Sequence, residues 1–156
     1  MDLKQLYQDI ILEHGKSPRN LGKCEGYSHE AKGYNPLCGD RVHVYLKLDT
    51  GKKVENLTFE GDGCAISLAS ASIMTELVKG RSINDTKEIM SAFLNMIKNT
   101  SEMNSNHLDD DQKTKIMSLS GVKQFPMRVK CATLSWHTLN SAMDEKKEEV
   151  NTEVMD

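Results

Sequence analysis

The chain has 156 residues, 28% of them charged and only 5% aromatic, with nine Met, four Cys and a formal net charge of −3. That length fits one domain burying roughly 68–70% of its unfolded surface, enough for an aliphatic, Met-filled core without disulfide staples. The charge and the lack of a basic stripe speak against a nucleic-acid partner, and no apolar run approaches the ~20 residues of a membrane span.

Asp2 to His14 reads as a helix, with Leu3, Leu6, Tyr7, Ile10 and Ile11 at helical spacing. It stops near Gly15, and Pro18 blocks continuation. The opening MDLKQLYQDI, with two Asp and a Lys, is unlike a signal peptide. Cys24 to Tyr34 is polar and gives a weak strand signal. Val42, Val44, Leu46 and Leu48 alternate with His43, Tyr45 and Lys47, Thr50-Gly51 supplies a turn, and Val54, Leu57 and Phe59 mark a further strand. Gly61-Asp62-Gly63 reads as a hinge into a helix from Cys64 to Lys79, ended by Gly80. Ser82 to Asp85 resembles a capping box that opens another helix through about Lys98. Asn99 to Asn106 is loop-like, and Asp109 to Leu119 forms a short helix stopped by Gly121. Phe125-Pro126 is a break, with a last helix starting at Val129 or Cys131 and running towards Lys147. Strands early and helices late make an α+β fold: a small antiparallel three-stranded sheet packed against several helices. One domain, 1–147, is expected, followed by a frayed charged tail, 148–156.

Three thiols fall at element boundaries in this reading. Cys38 lies in a turn before a strand, Cys64 after a glycine hinge, and Cys131 after Pro126. With Asp40 they would complete a tetrahedral set, since Zn²⁺ accepts S and O donors at roughly 2.0–2.3 Å. Gly39 lets the chain bend so that Cys38 and Asp40 reach one metal. Spacing alone leaves open that all three are buried structural cysteines, among the most buried of residue types. Cys24, in KCEGY, has neither turn nor partner and is left out of the site. His14, His29, His43, His107 and His137 are scattered, and His43 reads as a surface or core-edge residue. No phosphate-cradling loop and no Ser/His/Asp nucleophile pattern is present.

Four ordered stretches carry a resemblance: SPRNLG (17–22), NPLCGD (35–40), GDGCAISLASAS (61–72) and FPMRVKCATLSW (125–136). Together they are similar to the U-type iron–sulfur cluster assembly proteins, the IscU/NifU N-terminal family. Carried over, the family's ligands fall on Cys38, Asp40, Cys64 and Cys131. Lys130 stands where the housekeeping scaffold branch has histidine, and the stretch from Ala65 to Lys130 is long. Both features resemble the SufU branch. An ammonium has no lone pair to offer a metal, which shifts the fourth-ligand role onto Asp40.

Four cysteines without a secretory signal make the cytoplasm the expected compartment, and the composition gives no expectation of a membrane or nucleic-acid partner. The resemblance implies a zinc-binding sulfur acceptor that works with a PLP-dependent cysteine desulfurase (SufS-like) and downstream apo-proteins. Cys38 is the expected acceptor, because its turn swings out more easily than a cysteine anchored on a helix, and Arg128 is expected to orient Asp40 or Cys38. The competing reading is a scaffold that assembles a [2Fe–2S] cluster, or iron, on the same residues and passes it on.

Overall fold

A computed structural model describes residues 2–98 and 105–154. Helix α1, Leu3–Lys16, starts where the Asp2 carboxylate accepts the Gln5 N–H at 2.8 Å. Three antiparallel strands follow: β1, His29–Asn35; β2, Asp40–Leu48; and β3, Val54–Asp62. Then come α2, Ala65–Val78, and α3, Ile83–Lys98. The chain continues with α4, Asp110–Met117, a 3₁₀ segment, Ser118–Gln124, and α5, Pro126–Met143. It closes with β4, Val150–Asn151, and a 3₁₀ turn, Thr152–Val154. Among the described residues, no helix is long and apolar enough to cross a membrane.

The α+β architecture is as expected, but the sheet has four strands, ordered β3-β2-β1-β4, instead of three. The fourth comes from the tail expected to fray. Val150 and Asn151 pair in parallel with Gly33 and Tyr34 of β1, and Thr152 is buried. Charge composition is misleading here: Glu145 to Glu149 is a polar bridge, beyond which Val150 finds the open hydrogen-bonding edge of β1. Residues 155–156 lie outside the described part, as do 99–104 of the expected Asn99–Asn106 loop.

Val44, Leu46, Leu57 and Phe59 point from the sheet into a core shared with α2, α3 and α5. Helix α2 is buried along almost its whole length, lying against both α1 and α5, while α5 packs on β1 and β2. Phe93 of α3 stacks on Trp136 of α5 with ring centroids 4.5 Å apart, and the Trp136 indole N–H donates to Ser70 Oγ at 3.0 Å. An apolar ring with a polar edge is thus buried without an orphaned donor.

Three further boundaries differ. Helix α5 begins at Pro126, not at Val129 or Cys131, because proline at the first helical position gives up an N–H that has no intrahelical partner anyway. Gly121 does not stop the preceding segment, which runs on as 3₁₀ turns to Gln124. Gly61 and Asp62, expected in a hinge, are the last two residues of β3.

Candidate metal centre

Strands β1 and β2 meet in a hairpin whose last pair is Asn35 with Asp40. Between them Pro36, Leu37, Cys38 and Gly39 form the turn. Gly39 takes φ +74° and donates its N–H to the Asn35 carbonyl at 2.8 Å, so a glycine stands where the turn goes left-handed. Cys38 is therefore half-exposed at a hairpin tip, while Asn35 and Asp40 on either side are fully buried.

The Asp40 carboxylate is held from two sides. One oxygen accepts the backbone N–H of Cys64 at 3.0 Å, and the other accepts the Asn35 side-chain amide at 3.0 Å. A Cβ on Gly63 would collide with the first oxygen, so the glycine before Cys64 makes room for this approach. Cys64 is the N-cap residue of α2, in line with its expected place at the start of that helix. Cys131 is instead in the second turn of α5, fully buried, and reaches the cluster sideways from a helix body. Its Sγ lies 3.3 Å from Cys38 Sγ and 3.5 Å from the Asn35 amide nitrogen.

Ligand atoms of Cys38, Asp40 and Cys131 all lie within 4.8 Å of one another. Cys64 lies outside that mutual set and meets the group through a thiol–thiol hydrogen bond with Cys131. That bond, helped by the N–H groups of Ser67 and Ile66 at the start of α2, brings the Cys64 thiol down to about 6, against burial and the Asp40 charge. Cys131 is pushed up, first by the same bond and then by burial, Asp40 and Cys38. In this pair the thiolate forms on Cys64, where a helix N-terminus favours negative charge, and the proton stays on Cys131 in the interior.

The donor set fits a thiophilic cation. Zn–S bonds of about 2.3 Å place tetrahedral sulfurs roughly 3.8 Å apart, within the spread of these atoms. Asp40 is fully buried, yet no ion pair among the described residues involves it. A buried carboxylate needs a compensating charge, and two neutral N–H donors do not supply one.

The other sequence-derived candidates sort themselves by position. Arg128 is exposed in the first turn of α5 and lines a groove of about 920 Å³ with Leu3, Tyr7, Ile11, Phe125 and Cys64. The groups that hold Asp40 are Asn35 and the Cys64 N–H. Lys130 pairs with Glu153 at 2.6 Å, clamping α5 to the C-terminal turn. Cys24 is buried elsewhere, accepting from the Asn56 amide at 3.4 Å. His43 bonds Glu30 at 2.8 Å and stacks on Tyr45. His14, read as one of a scattered set, is buried and bonded to Ser72 Oγ at 2.7 Å.

Sequence reasoning missed Asn35 and Thr152. Alternation along β1 puts Ala31, Gly33 and Asn35 on the buried face, which was the available signal for Asn35. Nothing local to Thr152 announces that it returns to this hairpin.

A small sheet with helices on it, presenting three thiols and one carboxylate from a hairpin tip, a helix cap and a helix body, defines a class. The chain belongs to the family of the NifU-like N terminal domain, which matches residues 6–151. Within that family it is 42% identical to the zinc-dependent sulfurtransferase SufU of Bacillus subtilis, over 94% of this chain and 95% of that one. It is 37% identical to the iron–sulfur cluster assembly scaffold protein IscU of Thermotoga maritima, over 92% and 96%. A crystal structure from Fervidobacterium islandicum AW-1, named as a SUF-system cluster assembly scaffold protein, superposes with a TM-score of 0.78 at 36% identity, covering 89% of this chain and 97% of that one. The N-terminal NifU-like protein of Brucella abortus, at 22% identity and TM-score 0.79, shares the fold.

Proposed function

We propose that the chain is a zinc-binding sulfur acceptor in iron–sulfur cluster biogenesis, taking persulfide sulfur from a cysteine desulfurase of the SufS kind on Cys38. The observation that carries this reading is the asymmetry of the thiols: Cys38 is half-exposed on a turn, while its neighbour Cys131, 3.3 Å away, is sealed in a helix. Zn²⁺ would be held by Cys38, Asp40, Cys64 and Cys131, and when bound it keeps its thiol ligands deprotonated at neutral pH.

The residues of the chain supply the rest. The Cys38 thiolate attacks the outer sulfur of the donor's persulfide; a new S–S bond forms on Cys38, the donor's S–S bond breaks, and the donor cysteine leaves as a thiolate. No net oxidation occurs. Asp40, fixed by Asn35 and the Cys64 N–H, keeps its place while the turn moves, and Cys131 stays out of reach of the donor. A cytoplasmic setting suits this chemistry, since all four cysteines are free thiols. Arg128, exposed beside Cys64 on the groove, is placed to meet an incoming partner.

Desulfurase turnover with and without the chain tests the reading. Wild type stimulates turnover and acquires a persulfide on Cys38; no stimulation with a cognate desulfurase overturns it. The likeness to a scaffold-named IscU favours one other reading, in which a [2Fe–2S] cluster is the cargo assembled on the same residues. Elemental analysis decides between them: a colourless protein with one zinc per chain supports sulfur transfer, and a coloured cluster that moves to an apo-protein supports the scaffold.

A further inference from the structure

The buried side of the centre ends at the opposite terminus of the chain. Asn35 is fully buried and uses all of its amide: the nitrogen donates to Asp40 at 3.0 Å and to Cys131 Sγ at 3.5 Å, and the oxygen accepts from Thr152 Oγ1 at 2.9 Å. Thr152 is itself 4% exposed. It is held there by β4, which pairs with β1 at Gly33 and Tyr34, and by the Lys130–Glu153 ion pair one residue on.

We infer that the C-terminal segment Val150–Val154 is a positioning element of the metal centre, acting through the hydroxyl of Thr152 on the amide of Asn35. The physical reason is the two-fold ambiguity of an amide. Turned over, Asn35 would face the Asp40 carboxylate and the Cys131 sulfur with its oxygen, setting lone pairs against lone pairs. The Asp40 carboxylate, which only accepts, selects the orientation in which the N–H groups face the centre, and the hydroxyl that donates to the amide oxygen from behind holds the amide in it. Asp40 then presents its carboxylate in one pose, and the Cys131 sulfur accepts an N–H from the same amide. Such outer contacts typically change metal affinity about 10–100-fold. The Lys130–Glu153 pair gives Lys130 a role: a side chain that binds no metal ties down the segment that orients two ligands.

The inference rests on the zinc reading of the site, and the test separates the two. Zinc affinity of the full chain is measured by competition with a chromophoric chelator for wild type, Thr152→Val, Thr152→Ser and Asn35→Ala. Thr152→Val, which keeps the shape and removes the hydroxyl, weakens zinc about tenfold, and Asn35→Ala weakens it about 10–100-fold. Thr152→Ser restores wild-type affinity, which a purely packing role for the methyl group would not. The d–d bands of the Co²⁺-substituted protein shift in Thr152→Val and return in Thr152→Ser. Wild-type zinc affinity in a folded Thr152→Val chain overturns the inference. If that chain does not fold, Glu153→Gln takes its place: by loosening rather than deleting an outer contact it weakens zinc, by less than the roughly tenfold of a deleted contact, and an unchanged affinity overturns the inference. A wild-type chain that binds no zinc removes the zinc reading instead. The latch is then judged in metal-free protein, where the Asn35 side-chain amide protons exchange at least tenfold faster in Thr152→Val; equal rates overturn it.

Discussion

The sheet has two tight hairpins built with an aspartate each, and they use it in opposite ways. In the β2–β3 turn, Asp49 is exposed and accepts the N–H groups of Gly51 and Lys53, both at 2.9 Å. Every partner lies within four residues, so the turn is self-sufficient. In the β1–β2 turn, Asp40 is buried and its partners are Asn35 across the hairpin and Cys64, 24 residues away. The first aspartate makes a turn. The second leaves its turn to glycine and faces thiols that arrive from distant elements, so the function of this carboxylate is decided by what the fold brings to it.

Substitutions in matched pairs probe that contrast. The largest effect is expected at the tip: Cys38→Ala returns desulfurase turnover to its rate without the chain, measured with cysteine as substrate, whereas changing Thr50 at the other tip leaves stimulation intact. Next, Asp40→Ala weakens zinc by at least the roughly 10–100-fold typical of an outer contact, by chelator competition. Asp49→Ala leaves zinc affinity unchanged and lowers stability by about 1 kcal/mol in urea unfolding.

The glycines follow. Gly63→Ala forces a Cβ against the Asp40 carboxylate and destabilises by about 1–3 kcal/mol while also weakening zinc. Gly51→Ala meets Asp49 only at an ordinary 3.4 Å and stays within roughly 0.5 kcal/mol of wild type.

The smallest effect separates the centre from the fold's own acid sensitivity. Burial, with the Lys98 charge second, brings His137 down to about 4 from its usual 6.5. Between those values the unfolded chain takes up a proton that the folded chain refuses. Stability is therefore complete above about pH 6.5 and falls as the pH drops towards 4. In metal-free protein His137→Gln flattens the decline in Tm across that window; an unchanged slope assigns it to other groups, of which His14, also held down by burial, is the first to test.

Much of the fold was legible because its signals are local. Alternation marked β2 and β3, and caps and glycines marked α2 and α3. The failures came where a local signal had two meanings. Pro126 reads as a break but is also a favoured first helical residue, so α5 starts early and Cys131 moves from a helix end into a helix body. The charged run from Glu145 reads as fraying, yet the next residues only needed an open strand edge to become β4. Of the groups at the centre, the three thiols and Asp40 were visible as residue types in motifs. Asn35 entered only as the first residue of the NPLCGD stretch, and Thr152 only as part of the charged tail.

Side-chain period, φ preference and capping act within a few residues, and they were enough to set the α+β class. They also set the hairpin with a glycine between Cys38 and Asp40, and the placement of Cys64 at the start of α2. Which groups stand behind the thiols and Asp40 was left to the packed chain. Asn35 and Thr152 are 117 residues apart, and their contact exists because β4 closes the sheet beside β1. A hydrogen bond between buried groups at that separation leaves no periodic trace in the chain, since its partners share neither an element nor a turn.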